Sequence, residues 1–243
     1  SGFSLTEEGT FVYESAITLF AAIEEFRAQV NSFHENVSGK LFMGFIDTMV
    51  TKEDTVLHRA LKYYSTRYPN VELNIMTGSA VEIDQSVLDR RIHVGVTTYK
   101  QGLNALLWIP LFEEKNLLYC GKGHPLFDTK SEPDITSLKQ YRFARHGYSE
   151  AERKSMTKID AELFANAHMT EDVLFLVMTG NYLGFLPVHY AEYFEKQGKI
   201  KPVMPGTIMK VTNIQMIINK LSIKNPIVEH FLDVVREIDN GDG

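Results

Sequence analysis

The sequence predicts an α/β protein in which two lobes are joined by two crossover strands and follow a long N-terminal helix. Three observations predict this fold class. The 243 residues exceed what one compact core usually holds and suit two domains. Strand-length apolar runs alternate with helical spacing along most of the chain, which is typical of parallel sheets. The first 38 residues instead carry one continuous apolar spacing close to a heptad.

The N-terminal segment, residues 1–38, predicts a single helix with a narrow apolar seam. Thr6 can cap its start, and Glu7 and Glu8 place carboxylates in the first turn, where the helix dipole favours them. The seam residues alternate in steps of four and three: Val12, Ala16, Leu19, Ile23, Phe26, Val30, Phe33 and Val37. We expect the seam to pair with a second copy of the chain. The alternative is an amphipathic helix packed on its own domain.

For the first lobe, the sequence predicts the order strand, helix, strand, helix, strand. This order favours a parallel sheet with right-handed crossovers. The run at 40–46 is apolar on both faces, as a buried parallel strand is. The elements that follow are a helix at 51–67, a strand at 71–76, a helix from Ser79 to Leu88 and a strand at 92–97. Two more strands, at 103–111 and 116–121, are expected to leave this lobe.

The sequence predicts a second set of helices and strands, which would form the second lobe. In order they are a strand at 141–145, a helix at 150–165, a helix capped by Thr170, strands at 182–186, 200–204 and 209–219, and a final helix from Pro226. The final helix has no strand of its own, so we expect it to return to the first lobe. The predicted boundaries are 39–115 with 222–243 for lobe I and 116–221 for lobe II, with crossings near 110–116 and 219–225. Two such lobes form a clamshell whose natural ligand site is the crevice at the strand ends.

Composition and charge exclude several classes of protein. The chain has 25 basic and 31 acidic side chains, and residues 1–38 carry −5 of the net charge of −6, so neither part has the basic footprint of a nucleic-acid binder. The one cysteine, Cys120, cannot form an internal disulfide, and no cysteine and histidine cluster predicts a zinc site. No apolar run approaches the ~20 residues of a membrane span. We expect a cytoplasmic protein without cofactor, metal or membrane contact. The start lacks an initiator Met and a secretion signal, which suggests a piece of something longer.

Four stretches, in order, resemble the LysR-type bacterial transcriptional regulators. Residues 3–16 resemble the end of that family's DNA-binding wing and the start of its linker helix. Residues 67–96 resemble its stretch with the pattern "yPnvel", 121–127 its "HPLA" turn, and 177–192 its "aG.Gia.lP" segment. The chain departs from the pattern in three places. His93 stands where the family usually has Asp, Asn181-Tyr182 replace a Gly-rich pair, and the segment 49–54 is longer.

The resemblance implies a domain organisation and a function. Residues 1–38 would be a wing remnant and a dimerisation helix, and the winged helix-turn-helix domain that reads DNA would lie upstream. The lobes would be Rossmann-like, with the architecture of type 2 periplasmic-binding proteins, and would hold a small-molecule effector between them. DNA would be bound through the missing domain and not through this fragment. The protein would be a homodimer or homotetramer.

The candidate ligand residues lie at turns that follow predicted strands. Asp47 and Thr48 follow the first strand, Ser79 follows the second, and Thr98 ends the third. A hydroxyl beside the free N–H groups of a helix N-terminus accepts anions, and the resemblance implies that Thr48 and Ser79 contact ligand. Both are equally well explained as plain N-caps. Asp47 would repel an anion, so it favours a polar or cationic ligand or faces solvent.

In the second lobe, Arg145 and His146 end the strand at 141–145. The Arg145 guanidinium would bind a carboxylate or phosphate with two hydrogen bonds, and an exposed loop arginine is the alternative. The sequence motifs of hydrolases, zinc proteases and nucleotide-binding proteins are absent. Two other classes stay open: a solute-binding protein of a transport system, and an enzyme that uses Cys120 beside His124 or the related porphobilinogen-deaminase chemistry. Cys120 lies in an apolar strand pattern, which favours a buried, inert thiol.

Overall fold

The structure is a computed structural model of the chain, and it describes residues 5–32, 37–98, 103–129, 131–146 and 164–241. The α-helices in these ranges are α1 (Glu7–Ser32), α2 (Val56–Arg67), α3 (Ala80–Leu88), α4 (Thr170–Met178), α5 (Val188–Lys196) and α6 (Pro226–Asp239). The strands are β1 (Gly39–Phe45), β2 (Val71–Thr77), β3 (Val94–Thr98), β4 (Leu106–Gly121), β5 (Arg142–His146), β6 (Phe164–Ala167), β7 (Tyr182–Pro187), β8 (Ile200–Pro202) and β9 (Met209–Asn219). Short 3₁₀ helices cover Met49–Thr51, Ile135–Gln140 and Lys220–Lys224.

The chain divides into two compact units. The first is formed by Ser1–Ile46, Asp54–Leu111 and Ile214–Gly243, and the second by Asp47–Glu53 and Phe112–Asn213. Two features differ from the predicted boundaries. The return to the first unit comes at residue 214 and not near 219–225, because residues 214–218 of β9 pair antiparallel with β3. Asp47–Glu53 follows β1 directly and yet groups with the second unit.

In the first unit β1 lies between β2 and β3 and is parallel to both. The register pairs Phe45 of β1 with Thr77 of β2 and with Val96 of β3. The carboxyl ends of the three parallel strands therefore meet at one edge of this sheet, which is where ligands bind in open α/β sheets. β9 adds to β3 in the antiparallel direction.

Helices α2 and α6 pack together in the first unit around Tyr64. Its side chain is fully buried, its hydroxyl donates to the carbonyl oxygen of Ile227 at 3.0 Å, and its ring meets Phe231 edge-on at 5.3 Å. The start of α6 follows the prediction, since Pro226 occupies the first turn and the Asn225 side chain accepts from the N–H of Ile227. The final helix thus belongs to the first unit, where it buries its apolar face.

Helix α3 lies close against the sheet of the first unit because the strands carry glycine beneath it. A Cβ atom on Gly95 of β3 would lie 2.8 Å from Cγ2 of Val87 and 2.9 Å from Cγ2 of Ile83. Both of these side chains are fully buried. A larger residue at position 95 would push α3 away from the sheet and change the position of its N-terminus at Ser79.

In the second unit β7 lies between β4 and β5, antiparallel to β4 and parallel to β5, and β6 extends the sheet beside β5. β8 pairs antiparallel with β4. One buried apolar cluster includes Leu118, Leu138, Phe143 and Leu183. A second cluster, under α4 and α5, includes Tyr119, Val173, Val177 and Leu186. This arrangement sets the first turns of α4 and α5 beside the carboxyl ends of parallel strands.

The structure corrects three predicted elements. The strands expected at 103–111 and 116–121 are one continuous strand, β4, which passes from the first unit to the second. Residues 164 and 165, expected to end a helix that began at 150, belong to β6, and residues 150–163 lie outside the described part of the chain. Thr170 is the first residue of α4 rather than its cap, which is Met169, and its hydroxyl donates to Asp47.

Candidate functional site

Asp47–Glu53, which we call the strap, is held on the second unit by three contacts. The Asp47 carboxylate accepts from the N–H of Thr170 and, at 3.1 Å, from its hydroxyl. Oγ1 of Thr51 lies 2.8 Å from Nδ1 of His189. The Lys52 ammonium lies 5.3 Å from the centre of the Phe112 ring. Two of the predicted ligand residues, Asp47 and Thr48, therefore lie on a segment fixed to the second unit.

Asp47 lies at the N-terminus of α4, where the helix dipole and free N–H groups favour a carboxylate. Asp172 completes the first turn by accepting from the N–H groups of His168 and Met169 at 3.1 and 3.0 Å. The chain's own carboxylates thus accept from three N–H groups at this helix end. Asp47 has a defined structural partner, which the sequence did not indicate, and its role toward a ligand stays a prediction.

Thr48 has a backbone conformation that is unusual for a β-branched residue, with φ at 66°. Its side chain makes no capping bond to the short helix Met49–Thr51 that follows. Its carbonyl oxygen accepts twice from Thr51, from the N–H at 3.1 Å and from the hydroxyl at 2.8 Å. The Thr48 conformation is therefore maintained by Thr51, and the plain N-cap interpretation does not apply to Thr48.

A polar network that the sequence did not reveal continues from Thr51 into the second unit. Nε2 of His189, in the first turn of α5, lies 3.0 Å from Oε1 of Glu114 on β4. Oε2 of Glu114 lies 3.4 Å from Nδ2 of Asn116, which lies 3.5 Å from Oγ1 of Thr212. The Glu114 and His189 side chains are only 9% and 15% exposed. The one local signal was the polar run at 113–116 between the apolar ends of β4.

The candidates of the first unit are Ser79 and Thr98. Ser79 forms a capping box with Glu82: its hydroxyl donates to Oε2 of Glu82 at 2.7 Å and accepts from the Glu82 N–H at 3.3 Å. The N-cap interpretation of Ser79 is therefore correct. A ligand that accepts from the Ser79 hydroxyl would have to replace the Glu82 carboxylate. Thr98 is half-buried at the end of β3, beside fully buried Thr97.

Arg145 and His146 lie at the end of β5, as predicted. The guanidinium of Arg145 lies over the ring of Phe164, which places it on the neighbouring strand β6. The backbone of His146 pairs with Ala167, and its side chain lies outside the described part of the structure. Arg145 is thus a half-buried, partnered residue and not an exposed loop arginine.

The cysteine chemistry considered as an alternative has no support in the geometry. Cys120 is fully buried, and burial raises the pKa of its thiol to about 11. His124 has other contacts: its Nδ1 accepts from the N–H of Leu126 at 3.1 Å, its ring packs on Tyr141, and burial lowers its pKa. In the described ranges no three His, Cys, Asp or Glu side chains are grouped to hold a metal ion.

The seam on α1 is a second candidate surface. Helix α1 contacts β1 and α6 of the first unit, yet Val12, Leu19 and Phe26 are each more than 60% exposed and Ile23 is 38% exposed. The side chain of Val30 and the whole of Phe33 lie outside what the structure describes. Among the described helices none is long and apolar enough to span a bilayer. Part of the predicted seam is therefore uncovered in the single chain.

Comparison with known proteins gives a consistent result. A family model described as the LysR substrate binding domain matches residues 34–239. The HTH-type transcriptional activator BauR of Pseudomonas aeruginosa is 33% identical, over 97% of this chain and 77% of its own length. The HTH-type transcriptional regulator GltR of Bacillus subtilis is 22% identical, over 97% of this chain and 79% of its own length.

Solved structures agree at the level of the fold. The effector binding domain of QuiR in complex with shikimate matches with a TM-score of 0.67 and 15% identity, over 84% of this chain and 99% of that domain. Full-length CbnR complexed with its target DNA matches with a TM-score of 0.62 and 16% identity, over 95% of this chain and 79% of that one.

Proposed function

Since the chain belongs to the LysR substrate-binding domain family, we propose that its two units bind a small-molecule effector and pass the change to DNA-binding domains. The chain is the effector-binding domain of a LysR-type transcriptional regulator, with the type 2 periplasmic-binding-protein fold. The single observation that carries this is the family match across both units. The relatives named above are transcriptional regulators and neither enzymes nor transport proteins. The solute-binding alternative therefore has no support.

The effector contacts that we propose lie on both units. They are Asp47 and Thr48 on the strap, Ser79 and Thr98 at strand ends of the first unit, and Arg145 and His146 at the end of β5. Support comes from their positions at carboxyl ends of parallel strands, where side chains of α/β proteins meet ligands. Thr48 also has the strained backbone that is common at ligand sites.

We further propose that the regulator works as a homodimer or homotetramer in the cytoplasm, joined through the seam of α1. The uncovered apolar side chains of α1 support this assembly, because a coiled coil buries such a seam. The DNA contact would be made by a helix-turn-helix domain of the kind for which BauR and GltR are named. An effector can shift the assembly only by its difference in affinity for the two arrangements.

Thermal-shift screening against small carboxylates, amino acids and aromatic acids tests effector binding. A saturating effector stabilises the folded chain by RT ln(1 + [L]/Kd), about 2.7 kcal/mol at a hundredfold excess over Kd. We expect Thr48→Val combined with Ser79→Ala to reduce the stabilisation by a hit compound. The matched control is Thr66→Val, since Thr66 is exposed on α2 and its hydroxyl donates only to Lys62 of the same helix. A hit whose effect is the same in the double variant and the control would rule out this site.

A further inference from the structure

The neighbouring helices α2 and α6 of the first unit carry opposite charges. With histidine counted as neutral, α2 has three basic residues and no acidic one, a formal charge of +3. α6 has four acidic residues and one basic one, a formal charge of −3. We propose that the outer surface of these two helices is an interface between two copies of the chain, with α2 of each copy on α6 of the other. We call this surface the charged face, and its members are Arg59, Lys62, Arg67, Glu229, Asp233 and Glu237.

The packing of α2 on α6 directs both charged surfaces outward. The helices meet around the fully buried Tyr64, so the sides of the helices away from this contact carry the exposed residues. All six members of the charged face are exposed. The three acidic members recur every four positions and therefore form one stripe along α6. Helix α1 also contacts α6 and yet leaves this stripe exposed.

The opposite charges of the two helices do not neutralise each other within one chain. The ion pairs that involve them are local: Nε of Arg59 lies 3.8 Å from Oδ1 of Asp54, just before α2, and Nη1 of Arg236 lies 3.1 Å from Oδ1 of Asp233 within α6. Among the residues that the structure describes, no ion pair joins α2 to α6. The charges of the two helices are therefore available to a partner.

Arg67 is held in place before any partner arrives. Its Nη1 donates to the Tyr63 hydroxyl at 3.0 Å, and its guanidinium carbon lies 5.8 and 5.9 Å from the ring centres of Tyr63 and Tyr68. A guanidinium has five N–H donors, so donors remain for a carboxylate. Because the side chain is already ordered, binding loses less conformational entropy. Tyr63 is itself 39% exposed, and tyrosine and arginine are typical anchors of protein interfaces.

A second copy of the chain is the partner that matches this pattern of charge. A two-fold rotation places the basic helix of each copy on the acidic helix of the other, so every ion pair forms twice. One exposed ion pair contributes little, whereas an array of complementary charges favours one partner and one orientation. Combined with the seam of α1, the charged face would join four chains. The tetramer rests on the proposed assembly through the seam, and the interface itself does not.

Sedimentation equilibrium of the full chain carrying Leu19→Glu tests the inference, because that change removes the seam contact. We expect a dimer that weakens as salt screens its charges. Reversal of α2 by Arg59→Glu with Lys62→Glu should weaken this dimer by about a hundredfold or more, since like charges then meet. Reversal of α6 by Glu229→Lys with Glu237→Lys should have the same effect.

Mixing the two reversed chains is the decisive step. The reversed α2 of one chain then meets the reversed α6 of the other, while the second contact keeps its native charges, so an equal mixture should form a dimer again. This result also shows that both reversed chains fold. The matched control is Lys122→Glu with Lys199→Glu, which reverses two exposed lysines of the second unit and should leave the dimer intact. Arg67→Lys keeps the charge but loses the planar fork, and should weaken the dimer about tenfold.

Three outcomes would overturn the inference. They are a Leu19→Glu chain that is monomeric at low salt, reversed chains that associate as strongly as the control, and a mixture that forms no dimer. Loss of the dimer on reversal of α2 but not of α6 would assign α2 to another acidic surface and would overturn the inference too. Failure to find an effector would count against the proposed function and would leave these outcomes unchanged.

Discussion

At the scale of single residues, sequence position indicated candidate residues that end or follow strands, whereas contacts between distant positions were not visible in it. Asp47, Thr48 and Ser79 were proposed as ligand residues because each follows a strand, which is a local signal. Glu114 and His189 were missed because their partnership joins positions 75 apart, and Thr51 meets His189 across 138 positions. Nothing in a short window of sequence brings such residues together. Only the packing of β4, α5 and the strap does.

His93 makes folding stability depend on pH. Burial lowers its pKa from 6.5 to about 4, and its Nδ1 accepts from the N–H of Phe42 at 3.2 Å. Below pH 6.5 the unfolded chain binds a proton that the folded chain does not, so stability is lost as the pH falls toward 4. The loss is at most about 1.4 kcal/mol per pH unit from this residue. Urea unfolding at a series of pH values measures it.

The control for this effect is His93→Gln, which keeps a polar side chain and removes the titration. We expect a shallower dependence on pH in this variant. Part of the slope remains, because burial also lowers the pKa of His124. Equal losses of stability in the wild-type chain and in His93→Gln would show that other groups cause the dependence.

At the scale of elements, boundaries set by local chemistry were predicted well. The capping box at Ser79 and the start of α6 at Pro226 depend only on residues that are close together in the sequence. The continuity of β4 was not predicted, because the polar run of Glu113, Glu114 and Lys115 indicates a break. Burial of Glu114 against His189 overrides that local preference. Residues 164 and 165 of the four-residue strand β6 were assigned to a helix, since pairing with β5 and not its own spacing defines this strand.

Removing the cap of α3 should destabilise the chain modestly. Ser79→Ala loses the bond that the hydroxyl accepts from the Glu82 N–H and should cost about 1 kcal/mol of unfolding free energy. Glu82→Ala removes the other half of the capping box and should cost a similar amount. Because the two side chains act on each other, the double variant should cost less than both losses together. Additive losses in chemical unfolding would contradict a coupled box.

At the scale of the whole molecule, the alternation of strands and helices was enough to predict two α/β units and a return of the last helix. The path of the chain between the units was harder to predict from the sequence. Pairing of β9 with β3 moved one boundary, and the strap was not predicted to leave the first unit at all. Both features depend on contacts between residues far apart in sequence.

Self-association of the chain through the seam of α1 is also a property of the whole molecule. We expect Leu19→Glu to weaken self-association strongly, since Leu19 is an exposed member of the seam and a charge there would be buried in the paired state. Sedimentation equilibrium at several concentrations measures the change. Thr10→Glu is the control, because Thr10 is exposed on the same helix outside the seam. Identical association of both variants, or a wild-type chain that stays monomeric, would exclude the seam as the interface.

The strap has a consequence for dissecting the gene. Since Asp47–Glu53 is encoded more than fifty codons ahead of the rest of its unit, no uninterrupted fragment contains the whole second unit without part of the first. A truncation to residues 112–213 would leave α4 without its Asp47 carboxylate and His189 without Thr51. Such a fragment would need a synthetic heptapeptide supplied in trans, or a circularly permuted reading frame, to restore those bonds.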